Sequence, residues 1–493
     1  MILIAFVLVS LAALVIIAAT RNHRQMNTAC IAQALIFAAL TAYIVLFQQV
    51  PVVSFLVGSQ YFFIDHLGLF EVAIATVIFS CAAVYARGYV EGLLSSGELE
   101  KGSLKLFYGA WVLLLLVIVL AFFSDNLALF WIFAEMTTIL SAMLVAILSA
   151  RENIDAAIKY IFIASAAMLF AFVGLIFLFD ISRTRLGAGT LNWTVLMEHA
   201  STFPPGMMIA SFTLVFVGFA AKSGIFPFHT WLPEAHAKAP SAVSAILSGV
   251  LLNVGIYGII RVYALVHQTT ASATIEPMLA LFGILTIGIA AFSMLPQKNL
   301  KKLVAFSSVE NMGLLLVGLA ISTPVALFWV LFHVMAHSFT KASLFFSAGI
   351  LHRQYRSRFS SDAADEIVDV FRFQPLAAWG IILGGLAIIA MPPLPLFFSE
   401  FFILLSLGAV SLWVLGVMLI LLFIAAAGLG YFVLTAFTET SDHGAPPAVE
   451  PYRTPVSMKV PILFLLILLL VIGIFLPAGG MEFLGQIVTE LKF

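Results

Sequence analysis

LVFVGFAAKSGIFPFHTWLPEAHAKAP, residues 214–240, decides the fold. An apolar helix runs into Lys222 and is followed at once by Ser223-Gly224-Ile225-Phe226-Pro227. A lysine at that depth is expensive in hydrocarbon, and a proline so close behind it breaks the helix. A charge beside a helix break inside a membrane is the usual construction of an ion pathway.

The rest of the chain supplies the membrane. It has 493 residues, of which 63% are hydrophobic and 10% charged, with 46 phenylalanines and a net charge of −1. Ordinary soluble proteins carry roughly 25% charged residues. No soluble core could bury this much apolar surface, so lipid is the solvent for most of it. The near-zero charge gives no sign of a nucleic-acid partner. Cys30 and Cys81 both sit in apolar runs and behave as small hydrophobes, since two isolated thiols hold neither a cluster nor a zinc.

A spanning helix needs about 20 apolar residues. That ruler predicts an all-α polytopic membrane protein of about fourteen helices, at 1–20, 28–50, 60–86, 104–122, 125–149, 155–180, 207–225, 241–265, 274–295, 301–320, 323–350, 375–407, 410–436 and 457–478. Prolines make the seventh and twelfth suspect as straight helices. The first helix has no basic residue ahead of it, unlike a secretory signal. Basic residues gather after odd-numbered helices: Arg21, Arg24, Arg87, Lys101, Lys105, Arg151, Lys298, Lys301, Lys302, Arg353, Arg356, Arg358 and Arg372. The other loops carry mainly Arg183, Arg185 and Arg261. Basic loops stay cytoplasmic, so both termini are expected outside. The longest polar stretches, 181–205, 353–374 and 438–456, are too short to be domains. No Walker loop, G-x-G-x-x-G or H-E-x-x-H occurs, so no cofactor or metal is expected in this chain.

Ionisable residues inside the spans mark the candidate site. Glu135 lies mid-helix in LALFWIFAEMTTILSAMLV, where a carboxylate costs several kcal/mol unless neutral or paired, and Lys222 is its natural partner. A lysine suits proton transfer better than an arginine, which does not deprotonate. His333, His337 and Lys341 are spaced four and four, so they share one helix face over roughly 12 Å and form a candidate relay. Glu400 follows Pro392, Pro393 and Pro395, which stop one helix before another starts. Pro227 plays the same part behind Lys222. Lys159, Glu310 and Asn253 are auxiliary candidates. His229, Glu234 and His236 are expected at the membrane interface. A broken helix beside a lysine, and five helices later another beside a glutamate, is the spacing of two five-helix repeats. An odd number of helices makes the second copy inverted.

KSGIFPFHTWLPEAHAKAPSAVSAILSGVLLNVGIYGIIR (222–261), KNLKKLVAFSSVENMG (298–313), HVMAHSFTKASLFFSAG (333–349) and the Pro-Pro to Ser-Glu-Phe segment (392–401) occur in the order found in antiporter-like membrane subunits. The chain resembles that family over residues 60–410. Its members belong to respiratory complex I, Mrp-type cation/proton antiporters and energy-converting hydrogenases. Glu310-Asn311-Met312-Gly313 is most similar to the hydrogenase-4 and formate hydrogenlyase component F branch.

The resemblance implies helices one to three at 1–103, a first repeat at 104–265, an inverted second repeat at 274–436, and helix fourteen with a tail at 457–493. It also implies roles. Glu135 and Lys222 match the acid–lysine pair of the first half-channel, His333, His337 and Lys341 the polar axis of the second, and Glu400 its terminal charge. Two departures stand out. Asn253 occupies the place of a bridging lysine, leaving water or His236 to link the halves. Ala390-Met391 replaces the glycine before Pro-Pro, so a different break geometry is expected. The implied function is proton or sodium translocation within a membrane redox complex of the prokaryotic cytoplasmic membrane. Its implied partners are other membrane subunits and a peripheral iron–sulfur, nickel–iron or quinone-reducing arm. A stand-alone Mrp-type antiporter subunit is the alternative.

Overall fold

The computed structural model describes residues 2–48, 50–54, 61–148, 150–355, 370–438 and 452–493. Arg356, Arg358 and most of the polar stretches expected at 353–374 and 438–456 lie outside the described residues.

The first four spanning helices are α1 (Ile2–Ala19), α2 (His23–Phe47), α3 (His66–Ser95) and α4 (Leu104–Phe122), with a hairpin of β1 (Val52–Ser54) and β2 (Phe62–Ile64) before α3. Then come α5 (Leu127–Val145), α6 (Arg151–Leu186), the short α7 (Trp193–His199), α8 (Pro205–Lys222) and the short α9 (Trp231–Lys238). α10 (Ser241–Ile246) continues through a π-helical turn, Leu247–Leu251, into α11 (Leu252–His267). The remainder is α12 (Ser272–Met294), α13 (Leu300–Ala320), α14 (Pro324–Gln354), α15 (Val370–Phe373), α16 (Pro375–Ile388), α17 (Pro395–Val410), α18 (Leu412–Thr438), α19 (Val456–Phe475) and the amphipathic α20 (Ala478–Glu490).

Among the described residues thirteen helices are long and apolar enough to cross a membrane, counting α10 to α11 as one. The chain is therefore a multi-pass membrane protein. The stretch expected at 375–407, suspect as a straight helix for its prolines, consists of α16 and α17, each too short to span alone.

Helix starts follow side-chain chemistry. Asn126 accepts from the Ala128 and Leu129 amides, Asp65 from Gly68, Asn299 from Lys302 and Thr323 from Ala326. Pro205, Pro324, Pro375 and Pro395 occupy first-turn positions, where a missing amide proton costs nothing.

Small residues let helix backbones meet. A Cβ at Gly174 would come within 2.7 Å of the Ser211 carbonyl, and one at Gly283 within 2.8 Å of the Gly313 carbonyl. Hydrophobic side chains fill the outer faces of α1, α2, α6 and α18, exposing Val15, Phe162 and Phe423. By contrast every residue from Ser241 to Val266 is buried, so the helix that runs through the π turn is the central post.

The loops sort into two groups. Asp125 and Asn126 amides bond the Tyr61 carbonyl, Trp193 bonds the Asp125 carbonyl, and His66 meets Glu490 at 2.6 Å, which collects one set at one end. Arg24–Glu91, Arg353–Glu98 and Lys238–Glu152 tie the basic set together at the other. Arg261 lies at the first end but not in a loop. It is inside α11, with its guanidinium 2.6 Å from Asp65 and 4.5 Å from the Trp193 ring centre. Lys301 is also buried, donating to the Ala239 carbonyl at 3.1 Å.

Candidate functional site: a buried polar axis

Lys222 is the last residue of α8, and local hydrogen bonding explains why the helix stops there. The Ile225 amide reaches back to the Ala220 carbonyl at 2.9 Å and the Gly224 amide to Ala221 at 3.3 Å. This is a Schellman ending, which needs a left-handed residue, and Gly224 supplies it at φ +67°. The Trp231 indole takes a second bond to the Ala221 carbonyl at 2.9 Å. The helix expected to run to residue 225 therefore ends three residues earlier.

α16 ends by the same hydrogen-bond pattern. Met391 bonds the Leu386 carbonyl at 2.9 Å and Ala390 bonds Ala387 at 3.1 Å, with Ala390 at φ +53°. The two helix ends of this chain therefore share one pattern, with Ala390 at the position that Gly224 fills in the first. An L-residue can be held in the left-handed region at a cost of about 1–2 kcal/mol. After this turn Pro392 and Pro393 lead into α17, and Pro227 leads from the first turn toward α9.

Lys222 is buried and donates to Thr138 Oγ1 at 2.8 Å. Glu135 stands three residues before Thr138 on α5, half-buried, with one oxygen accepting from Ser165 and the other unpartnered. Glu135 is within Coulombic reach of Lys222, but the two form no contact ion pair. The two members of the expected acid–lysine pair thus have separate close partners, Ser165 for Glu135 and Thr138 for Lys222. Lys159, on α6, pairs with Glu234 of α9 at 2.8 Å on the partly exposed flank.

On α14, His333 and His337 stack with ring centres 6.4 Å apart, and Lys341 lies one turn on; all three are fully buried. Lys341 donates to the Val304 carbonyl at 3.0 Å and to the Ser307 hydroxyl. His333 Nε2 meets Asn311 Oδ1 and its Nδ1 meets Ser399 Oγ, both at 2.9 Å. The Asn311 amide nitrogen is committed to the Ser307 carbonyl at 2.7 Å and the Glu310 carboxyl at 2.6 Å. Its oxygen must therefore face His333, so Nε2 carries a proton. The Ser399 hydroxyl has two acceptors, the ring Nδ1 and the Leu396 carbonyl at 3.0 Å. Turned toward Nδ1 the hydroxyl donates to a neutral ring; turned toward Leu396 it leaves its oxygen to accept from Nδ1 once a proton has arrived there from another group.

Glu310 lies buried beside this cluster, within Coulombic reach of both Lys341 and Glu400. Glu400 follows Ser399 in the first turns of α17 and is half-buried. His337 has no protein partner at either nitrogen. His236, expected at the interface, is instead fully buried with its ring stacked on Phe345 at 5.0 Å and both nitrogens unpartnered. The turn after Lys222 carries α9 inward, which is why a polar loop sequence ends up in the core. His229 and Glu234 remain only partly covered.

Asn253 occupies the centre. Its amide nitrogen donates to Ser338 Oγ at 3.0 Å and to Glu71 Oε2 at 3.1 Å. Glu71, on α3, is 1% exposed and was not among the residues singled out from the sequence. The rule that found Glu135, an acid well inside an apolar span, applies equally to DHLGLFEVAIATV (65–77). Among the described residues no group of three or more His, Cys, Asp or Glu could hold a metal ion.

Residues 124–430 match the family described as NADH:quinone oxidoreductase/Mrp antiporter, TM. A hydrogenase-4 component F homolog of Methylacidiphilum infernorum is 30% identical over 355 residues, 72% of this chain and 74% of the relative. Hydrogenase-4 component B of Escherichia coli is 29% identical over 431 residues, and the match spans 83% of this chain but 62% of that protein. A chain of the membrane-bound sulfane sulfur reductase, an archaeal respiratory membrane complex, superposes with a TM-score of 0.86 at 20% identity, covering 99% of this chain and 96% of that one. The broken-ended helices around Lys222 and Glu400 and the buried axis between them thus sit on a shared fold, and the chain belongs to the NADH:quinone oxidoreductase/Mrp antiporter membrane family.

Proposed function

We propose that this chain is a proton- or sodium-translocating, antiporter-like subunit of a membrane-bound redox complex of hydrogenase, formate hydrogenlyase or NADH–quinone oxidoreductase type. The observation that carries the reading is the set of buried titratable groups Lys222, His337 and Lys341, with the half-buried Glu400 beyond them, which no structural role requires at such cost. The redox chemistry belongs to partner subunits: other membrane chains and a peripheral iron–sulfur, nickel–iron or quinone-reducing arm. This chain holds no cofactor of its own. It resides in a prokaryotic cytoplasmic membrane with both termini outside, following its basic loops.

The working step is electrostatic. A change arriving at Glu135 from a neighbour alters the field at Lys222, whose ammonium leaves or regains Thr138. A hydrogen bond to a charged group is worth about 1.5–3 kcal/mol, comparable with the ~2.3 kcal/mol of moving one charge against 100 mV. The proton then passes through the His337 region to the Lys341–Glu310–His333 cluster and leaves by Glu400.

The test is coupled ion transport by the purified native assembly in vesicles. Lys222→Ala and Lys341→Ala should each abolish it while the assembly stays intact. Unchanged transport in both would leave only a scaffold role. The family description also covers stand-alone Mrp antiporters, whose co-purifying subunits would carry no redox centres.

A further inference from the structure

Among the described residues Lys222 and Thr138 form no hydrogen bond or ion pair with His333, His337, Lys341 or Glu310. Lys222 and Thr138 belong to one side; His333, Lys341 and Glu310 to the other. α11 joins them. Its Leu252 carbonyl accepts from Ser223, the residue after Lys222, at 3.0 Å. Its next residue, Asn253, donates to Ser338, the residue after His337, at 3.0 Å. Just upstream, Ser248 of the π turn meets Ser308 of α13 at 2.9 Å. Every one of these hydroxyls and amides is buried, yet none can hold an excess proton at an energy near that of the lysines.

Glu71 can. Its carboxyl meets Asn253 Nδ2 at 3.1 Å, forms no ion pair among the described residues, and is 1% exposed. A buried carboxyl with no cation costs several kcal/mol as the anion, and is far cheaper as the neutral acid. α3 is held against this spot along one face: Ile78, seven residues on from Glu71, would meet a Cβ at Gly249 at 2.7 Å. Asn253 Oδ1 and both nitrogens of His337 are buried without protein partners, and polar atoms in that position are met by water.

Resting on the translocation reading above, we propose that Glu71 is the proton-carrying group that links the Lys222 half of the axis to the His337–Lys341 half, with Asn253 as its positioning residue. The transfer is a plain relay. The Glu71 carboxyl releases a proton toward the His337 side and its carboxylate, held by the Asn253 amide, accepts one from the Lys222 ammonium. No oxidant or co-reactant is needed. α3 thereby contributes a functional group, rather than packing alone.

The experiment uses the native assembly in vesicles, with subunit content checked by native gel. Glu71→Gln keeps the shape and removes the exchangeable proton; coupled transport should fall at least tenfold with assembly intact. Glu71→Asp should retain a substantial part. The exchanged pair Glu71→Gln with Asn253→Asp returns a carboxyl to the same hydrogen bond and should recover transport. It also serves if Glu71→Gln alone fails to assemble: an assembled but inactive exchanged pair overturns the proposal. So does wild-type transport in Glu71→Gln while Lys222→Ala is dead, an outcome that leaves the translocation reading standing. Wild-type transport in both would sink the translocation reading as well.

Discussion

Lys222 Nζ donates to Thr138 Oγ1 at 2.8 Å, and Thr138 lies one turn of α5 beyond Glu135. The ammonium that the sequence suggests as a direct partner of Glu135 is thus hydrogen-bonded to a threonine hydroxyl instead. Thr138→Val has the same shape without the hydroxyl. It should cost the ammonium about 1.5–3 kcal/mol of hydrogen bonding and lower coupled transport roughly tenfold or more. Thr138→Ser should stay near wild type. Initial transport rates in vesicles, normalised to assembled complex, decide it.

Ala390 at φ +53° ends α16 where Gly224 ends α8. Ala390→Gly removes the left-handed penalty but adds freedom to the unfolded chain, for a net gain of roughly 0.5–1 kcal/mol. Gly224→Ala should do the opposite, with its Cβ placed 2.3 Å from Leu232 Cδ1. Melting temperatures in detergent should move in opposite directions for the two variants.

Asn311 holds His333, Glu310 and the Ser307 carbonyl at once. Asn311→Leu leaves buried polar groups unpaired, at about 1–3 kcal/mol for each one orphaned. Both the melting temperature and coupled transport should drop. Asn311→Asp keeps the acceptor for His333 but sets a second carboxyl against Glu310. It should lose more transport than stability, a split that a purely structural asparagine would not give.

Arg261 and Asp65 form a pair 2.6 Å apart with side chains 5% and 2% exposed. Arg261→Ala strands Asp65 and should destabilise by about 3–5 kcal/mol. The double change Arg261→Leu with Asp65→Asn should recover much of that. Neither residue lies on the axis, so transport per assembled complex should be unchanged in the double variant.

Much of this was legible in the chain because hydrocarbon leaves so few options. A long apolar run must be a helix, and a charge inside one must have a reason. Lys222, His333, His337, Lys341 and Glu310 stand out on that ground alone, and burial agrees for all five. What did not show was partnership. Glu135 and Lys222 look like a pair by charge, but their hydrogen-bond partners are Ser165 and Thr138. Arg261 reads as a loop cation because its acid, Asp65, is 196 positions away. His236 reads as interfacial because sequence gives no sign that the turn after Gly224 folds inward. In each case the deciding contact is long-range, and spacing along one helix carries no record of it.

The π turn at Leu247–Leu251 fits one more residue into the central post than an ordinary helix would. A wide turn of this kind absorbs the added residue locally, so the ordinary helix on either side keeps its facing. Asn253 and Arg261, beyond the turn, therefore reach Glu71 and Asp65 from regular helix. Ser248, by contrast, meets Ser308 from inside the turn. Removing one residue from 247–251 would straighten the post and spare the outer two contacts, while the contact made from the turn itself would be lost.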